Sequence, residues 1–261
     1  GANQALAAKR AGAGVRHVCA VGNDDFAGRA LAILRPEGVD LSAMRVVEGP
    51  TGIASIFVEQ SGENAIAVLP GANASHTPAD AERALSGLGK GDILMLQQEI
   101  PQAATDRALD LARAQGVLSI LNTAPFLPST PSVAGKAAIL VANETEFALL
   151  AGEDSRPLEA QMKDWSARHG QTVIVTLGAE GARAASPSGE WISVPAMKVT
   201  PVDTVEAGDT FCGYLAASLD QGMALGPAMR RAATAASLAC LKTGAQPSVP
   251  MAAEVEAALR A

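Results

Sequence analysis

Short apolar runs alternate along this chain with longer stretches whose apolar positions return at helical spacing. The runs are Val15–Val21, Ile93–Leu96, Val117–Leu121, Ala138–Val141 and Val173–Leu177, each of a length that suits a buried strand. Helices are predicted over Asn3–Arg10, stopped by Gly12 and Gly14, and over Phe26–Leu34, Ala103–Ala114, Glu144–Leu150 and Leu158–His169. Two Ala-rich helices follow, Ala207–Leu219 and Pro227–Leu241, and a short one ends the chain. This alternation implies an α/β fold, a mostly parallel central sheet with helices on both faces.

Two stretches break the pattern. Ile53–Val58 and Ala65–Leu69 are strand-like and flank Gln60-Ser61-Gly62-Glu63-Asn64, which has the composition of a turn. A β hairpin over residues 51–69 is therefore expected to project from the main domain as a small lid. Ala182–Ala185 and Trp191–Val194 form a second hairpin around Ser186–Glu190. With no internal repeat and no low-complexity linker, residues 1–261 read as one α/β domain carrying that lid.

Composition narrows the class. Hydrophobic residues make up 48% of the 261 and charged residues 18%, which excludes a disordered chain. Aromatics are only 3%, so packing rests on Ala, Val, Leu and Ile. The net charge of −7 comes without a basic stripe, against a nucleic-acid surface. Cys19, Cys212 and Cys240 share no metal-ligand spacing, and the expectation is a reduced, cytoplasmic protein. No apolar run reaches membrane-span length.

The most informative stretch is Asp203-Thr204-Val205-Glu206-Ala207-Gly208-Asp209-Thr210-Phe211, running into a predicted helix. Small residues at a helix start let an anion approach the unpaired N–H groups, and the helix dipole adds to the attraction. A carboxylate beside that site, Asp209, can take a hydroxyl proton during phosphoryl transfer. Asp is also favoured in any helix's first turn, so the local pattern leaves both readings open.

The wider sequence resembles the ribokinase-like (PfkB) family of carbohydrate kinases. Motifs occur in family order: Gly1-Ala2-Asn3-Gln4, Val21-Gly22-Asn23-Asp24-Asp25-Phe26-Ala27-Gly28, Thr51-Gly52 with Gly62-Glu63-Asn64, and Gly71-Ala72-Asn73. Gln97-Gln98-Glu99-Ile100-Pro101, Asn143-Glu144-Thr145-Glu146, Thr176-Leu177-Gly178-Ala179-Glu180-Gly181, the Asp209 motif and Gly244-Ala245-Gln246-Pro247-Ser248-Val249-Pro250 follow.

The resemblance implies an ATP-dependent kinase in which Asp209 is the base and the N–H groups of Ala207, Gly208 and Asp209 form an anion hole. Asn3 and Glu99 match sugar-contacting positions, although either could be a helix cap or a surface residue. Asn143 and Glu146 match a motif that organises Mg²⁺ and phosphates, and their spacing fits a capping box equally well. Thr176, Gly178 and Gly181 match a nucleotide-binding turn, or the glycines only form a tight turn. Asp203, the Val205 carbonyl, Gly244 and Ser248 match a monovalent-cation site for which K⁺ is expected. An Asp capped by neighbouring amides is the alternative for Asp203. The acceptor implied is the O5 hydroxyl of ribose, with fructose, a keto-sugar acid or a nucleoside as alternatives. A catalytically impaired sugar- or nucleotide-binding homologue is a further alternative. The apolar lid positions Ile53, Ile56, Val58, Ile66 and Val68 suggest a homodimer through the lid or closure of the lid over the sugar, and the two are compatible.

Three departures stand out. The family's opening strand and its sugar-binding Asp would precede Gly1, so a segment upstream is expected. Glu206 replaces the usual Gly or Ala, and a carboxylate near ATP phosphates repels them unless it turns to solvent or meets a cation. Ala233 stands where a polar residue often lies near the adenine. His17, His76 and His169 lack partner spacing, and Trp165 and Trp191 are expected to pack.

Overall fold

The computed structural model describes residues 1–58 and 64–260. Its elements are α1 (Ala2–Arg10), β1 (Ala20–Gly22), α2 (Asp25–Ala30), β2 (Arg45–Val47), β3 (Ile53–Val58), β4 (Asn64–Leu69), α3 (Pro78–Leu85), β5 (Ile93–Leu96) and α4 (Gln102–Gln115). Then come β6 (Leu118–Asn122), α5 (Thr130–Ala134), β7 (Ile139–Asn143), α6 (Glu144–Ala151), α7 (Leu158–His169) and β8 (Thr172–Thr176). The last are β9 (Ala182–Ala185), β10 (Trp191–Val194), α8 (Ala207–Asp220), α9 (Leu225–Ala239) and α10 (Ala252–Arg260).

The main sheet runs in the order β10-β9-β8-β7-β6-β5. Strands β5 to β8 pair in parallel, while β9 and β10 continue it antiparallel. Alternate residues of each strand serve opposite faces. Ile174 joins the core under α1, α8 and α9, with Leu6, Phe211, Tyr214 and Met229, while Val173 and Val175 join Leu109, Phe147, Met162 and Trp165 beneath the other helices. Helices on both faces are thus what the apolar β strands require. Gly116 and Gly170, both left-handed, end α4 and α7.

The expected lid hairpin is present. β3 pairs antiparallel with β4, from Ile53 opposite Leu69 to Val58 opposite Asn64. The expected turn over Gln60–Glu63 lies outside the described residues. Its root is fastened by Asp24, whose carboxylate accepts from the Thr51 N–H at 2.8 Å and from its hydroxyl at 2.6 Å.

Two predicted elements differ. Of Val15–Val21 only Ala20 and Val21 are in a strand, and that strand pairs with β2 in a separate two-stranded sheet. The run is apolar because Val15, Val18 and Cys19 line a cavity, not because it lies in the main sheet. The helix predicted over Phe26–Leu34 stops at Ala30, and turns carry the chain on to Gly38. No helix among the described residues is long and apolar enough to cross a membrane.

Candidate functional site

Helix α8 begins where the sequence motif placed it. Helix geometry gives the N–H groups of Gly208 and Asp209 no intrahelical acceptor, and neither donates a hydrogen bond among the described residues. The Ala207 N–H instead turns onto the Thr204 carbonyl at 3.3 Å. Two of the three expected anion-hole donors are therefore free to meet an anion.

Asp209, in the first turn, is held through both carboxylate oxygens by α1. Asn3 Nδ2 donates to its Oδ2 at 2.9 Å, and Gln4 Nε2 donates to its Oδ1 at 2.8 Å. The Gln4 amide also donates to Asn122 Oδ1 at 3.1 Å and accepts from Gln97 Nε2 at 2.5 Å. These residues come from α1, α8 and the C-terminal ends of β5 and β6, which is where parallel sheets place ligand sites. A cavity of about 690 Å³ opens beside them, lined by Asn3, Gln97, Glu99 and Asp209 and, from the lid, by Ile53, Ala54 and Val68. Asn3 and Glu99, expected at the sugar, therefore both face it.

Asn143 and Glu146 form the capping box that their spacing allowed. Asn143 Oδ1 accepts from the Glu146 N–H at 2.8 Å, and Glu146 Oε2 accepts from the Asn143 N–H at 2.9 Å. The same Oε2 accepts from Thr123 Oγ1 at 2.7 Å, leaving Oε1 without a protein partner among the described residues. Thr176 ends β8, and Gly178 and Gly181 both take positive φ in the turn after it. At Gly181 a β-carbon would lie 2.1 Å from the Val194 carbonyl oxygen, so its close approach to the end of β10 requires glycine there.

Asp203 gathers two loops. Its Oδ1 accepts from the Val205 N–H at 3.0 Å and its Oδ2 from the Gly244 N–H at 3.1 Å. These two N–H groups, Val205 first, hold the Asp203 carboxyl below the usual range. Ser248 is buried, and its hydroxyl donates to the Ala245 carbonyl at 2.8 Å. No cluster of three His, Cys, Asp or Glu side chains that could hold a metal ion is found among the described residues.

Glu206 does not turn to solvent. Its residue is only 3% exposed, and neither carboxylate oxygen has a hydrogen-bond partner among the described residues. Burial above all, then the Asp209 and Asp203 carboxylates, pushes its carboxyl up to about 8. It is therefore largely protonated at neutral pH, and the repulsion expected of an ionised carboxylate is relieved. Ala233, on α9, is 4% exposed and packed in the core. Trp165 packs on Phe147 and His169, as expected of a core residue. Burial raises the Cys19, Cys212 and Cys240 thiols, which suits unreactive cysteines.

Gln4 and Gln97 stand within the motifs without a chemical role that the sequence marks, and Asn122 stands outside them. Gln4 alone carried a signal, an amide next to Asn3.

The family model described as pfkB family carbohydrate kinase matches residues 1–252. The ribokinase of Bacillus subtilis is 36% identical over 98% of this chain and 85% of its own length. That of Schizosaccharomyces pombe is 34% identical over 98% and 84%. The structure of Arabidopsis thaliana ribokinase complexed with ribose and ATP superposes with a TM-score of 0.89 at 29% identity, covering 100% of this chain and 86% of that one. With its fold and its sequence in agreement, the chain belongs to the pfkB family of carbohydrate kinases.

Proposed function

We propose that the protein transfers the γ-phosphoryl group of ATP to the primary hydroxyl of a small sugar, converting D-ribose to ribose 5-phosphate. The observation that carries this reading is Asp209 itself. A carboxylate fixed through both oxygens stands on the wall of a polar-mouthed cavity, beside two free N–H groups at a helix start. The relatives named ribokinase, and the one seen with ribose and ATP, support the choice of acceptor and donor.

Asn3 and Glu99 hold the sugar's hydroxyls and present the primary one to Asp209. Asp209 accepts its proton as the oxygen forms a bond to the γ-phosphorus, and the bond from that phosphorus to the bridging oxygen of ADP breaks. The Gly208 and Asp209 N–H groups take up charge on the phosphoryl oxygens, which is where such catalysis gains most. Thr176, Gly178 and Gly181 lie on the nucleotide side of the sheet.

Mg²⁺ bound with the nucleotide supplies charge neutralisation. A single carboxylate with one free oxygen, Glu146, suits an ion that keeps water and phosphate as its other ligands. A monovalent cation, K⁺ as the family resemblance implies, would lie by Asp203, the Val205 carbonyl, Gly244 and Ser248. The exposed lid residues Val68 and Leu69, 53% and 64% accessible on opposite faces of β4, support a homodimer through the lid, and three free cysteines suit a cytoplasmic setting.

The test is an acceptor panel with ATP, scored by ADP release and by the position of the new phosphate in the product. Ribose phosphorylated at O5 with the highest kcat/KM is expected. Preference for fructose, a keto-sugar acid or a nucleoside would replace the acceptor, and no turnover on any of them would leave only a sugar- or nucleotide-binding homologue.

A further inference from the structure

We propose that Gln4 is a positioning residue of the phosphoryl-transfer step, its amide oriented by Gln97 so that one Asp209 oxygen stays fixed while the other, bonded by Asn3, is given up to the acceptor hydroxyl. The inference rests on Asp209 being the base.

A primary amide has a donor end and an acceptor end. Gln97 Nε2 donates to Gln4 Oε1, so the Gln4 oxygen faces Gln97 and its NH₂ faces two acceptors, Asp209 Oδ1 and Asn122 Oδ1. Asn122 is oriented in turn, because its Nδ2 donates to the Val141 carbonyl at 3.2 Å. Turning the Gln4 amide over would set its oxygen against two oxygens and its NH₂ against another NH₂. Three hydrogen bonds would be lost at once, so the relay has one self-consistent direction.

Gln4 borders the cavity but is only 1% exposed, its amide turned onto Asp209, Asn122 and Gln97. Asn3, the neighbouring residue, is partly exposed on the cavity wall and bonds the other oxygen, Oδ2. The two amides therefore differ in role. Asn3 can yield Oδ2 to an incoming hydroxyl, while Gln4 keeps Oδ1 and with it the plane of the carboxylate. Reaction rates respond steeply to such angles, because a base displaced by an ångström no longer lies along the hydroxyl's bond.

The test uses Gln4→Met, which keeps the side chain's length and removes the amide, together with Gln97→Met and the double variant. The readouts are kcat, the KM for ATP, the ribose dissociation constant by calorimetry and the melting temperature. Gln4→Met is expected to lower kcat by about 100-fold with ribose binding within about threefold. Gln97→Met should lower kcat by about fivefold, and the double variant should match Gln4→Met because both changes break one relay. A folded Gln4→Met protein with full kcat, or effects that multiply, overturns the inference. If Gln4→Met fails to fold, Gln97→Met decides alone: lowered kcat with unchanged ribose affinity supports the relay and unchanged kcat overturns it. A wild-type chain that phosphorylates no sugar contradicts the kinase reading and this inference together, whereas an active wild type beside a fully active Gln4→Met contradicts this inference alone.

Discussion

Gly213 lies against Ala7 so closely that a β-carbon on Gly213 would sit 2.5 Å from the Ala7 Cβ and 2.6 Å from the Gln4 carbonyl oxygen. This contact seats α1 directly on α8, one turn beyond Asp209, and so brings Asn3 and Gln4 within reach of its carboxylate. In an exposed helix Gly→Ala stabilises by about 1 kcal/mol. Here the sign reverses: Gly213→Ala is expected to cost about 1–3 kcal/mol by overpacking and to lower kcat with it, measured by denaturant unfolding and a coupled assay. Gly208 is the contrast. A β-carbon there meets nothing within 4 Å, so Gly208→Ala should fold as well as the wild type and raise the KM for ATP, because the added methyl faces the anion hole.

Glu146 serves a cap, and the proposed function asks it to serve Mg²⁺ as well. The two roles separate in Glu146→Gln. Its carbonyl can still accept from the Asn143 N–H and from Thr123, so stability should fall by less than about 1 kcal/mol. The charge is gone, so the Mg²⁺ concentration giving half-maximal activity should rise about tenfold or more. Equal Mg²⁺ dependence in both proteins would leave Glu146 a cap alone.

The pH dependence of stability should carry the mark of Glu206. Its carboxyl rises from 4.5 to about 8 on folding, so the folded state holds a proton that the unfolded state releases. The stability it contributes is complete below 4.5 and is lost as pH rises through about 8. Burial pushes the His17 imidazole from 6.5 down to about 4, which acts in the opposite sense and costs stability as pH falls below 6.5. Glu206→Gln removes only the first effect. Relative to wild type it should gain on the order of 1–3 kcal/mol between pH 5 and pH 8.5, read from urea unfolding at both values. Parallel curves for the two proteins would place Glu206 in solvent.

The lid offers a simple test of assembly. Val68→Ser with Leu69→Ser should convert a dimer to a monomer in sedimentation at micromolar concentration, while the fold of the main domain persists. A wild-type monomer under the same conditions contradicts the proposed dimer.

Much of the fold could be read in advance because β5 to β8 are buried runs whose neighbours alternate between two cores. The lid strands were legible for another reason, turn residues between two short β-branched stretches. What escaped were elements too short or too Ala-rich to show a period: the three residues of β2, α3 from Pro78 to Leu85, and α5. Val15–Val21 misled because a cavity wall and a central strand look alike in a string of apolar residues. At the site, Asp209, Asn143 and Glu146 were marked by motif. The amide relay was not, because it joins residues 4, 97, 122 and 209, and only the seating of α1 on α8 brings them together. Glu206 was ambiguous for the same reason, since its burial is decided by the fold around it.

The most direct measurement of the central claim is Asp209→Asn assayed with ribose and ATP beside calorimetric ribose binding. The amide keeps the shape and removes the base. The account predicts kcat lowered by about 10³-fold or more, with the ribose dissociation constant changed less than about tenfold. A variant that keeps kcat within tenfold of wild type would show that Asp209 is not the group that takes the proton.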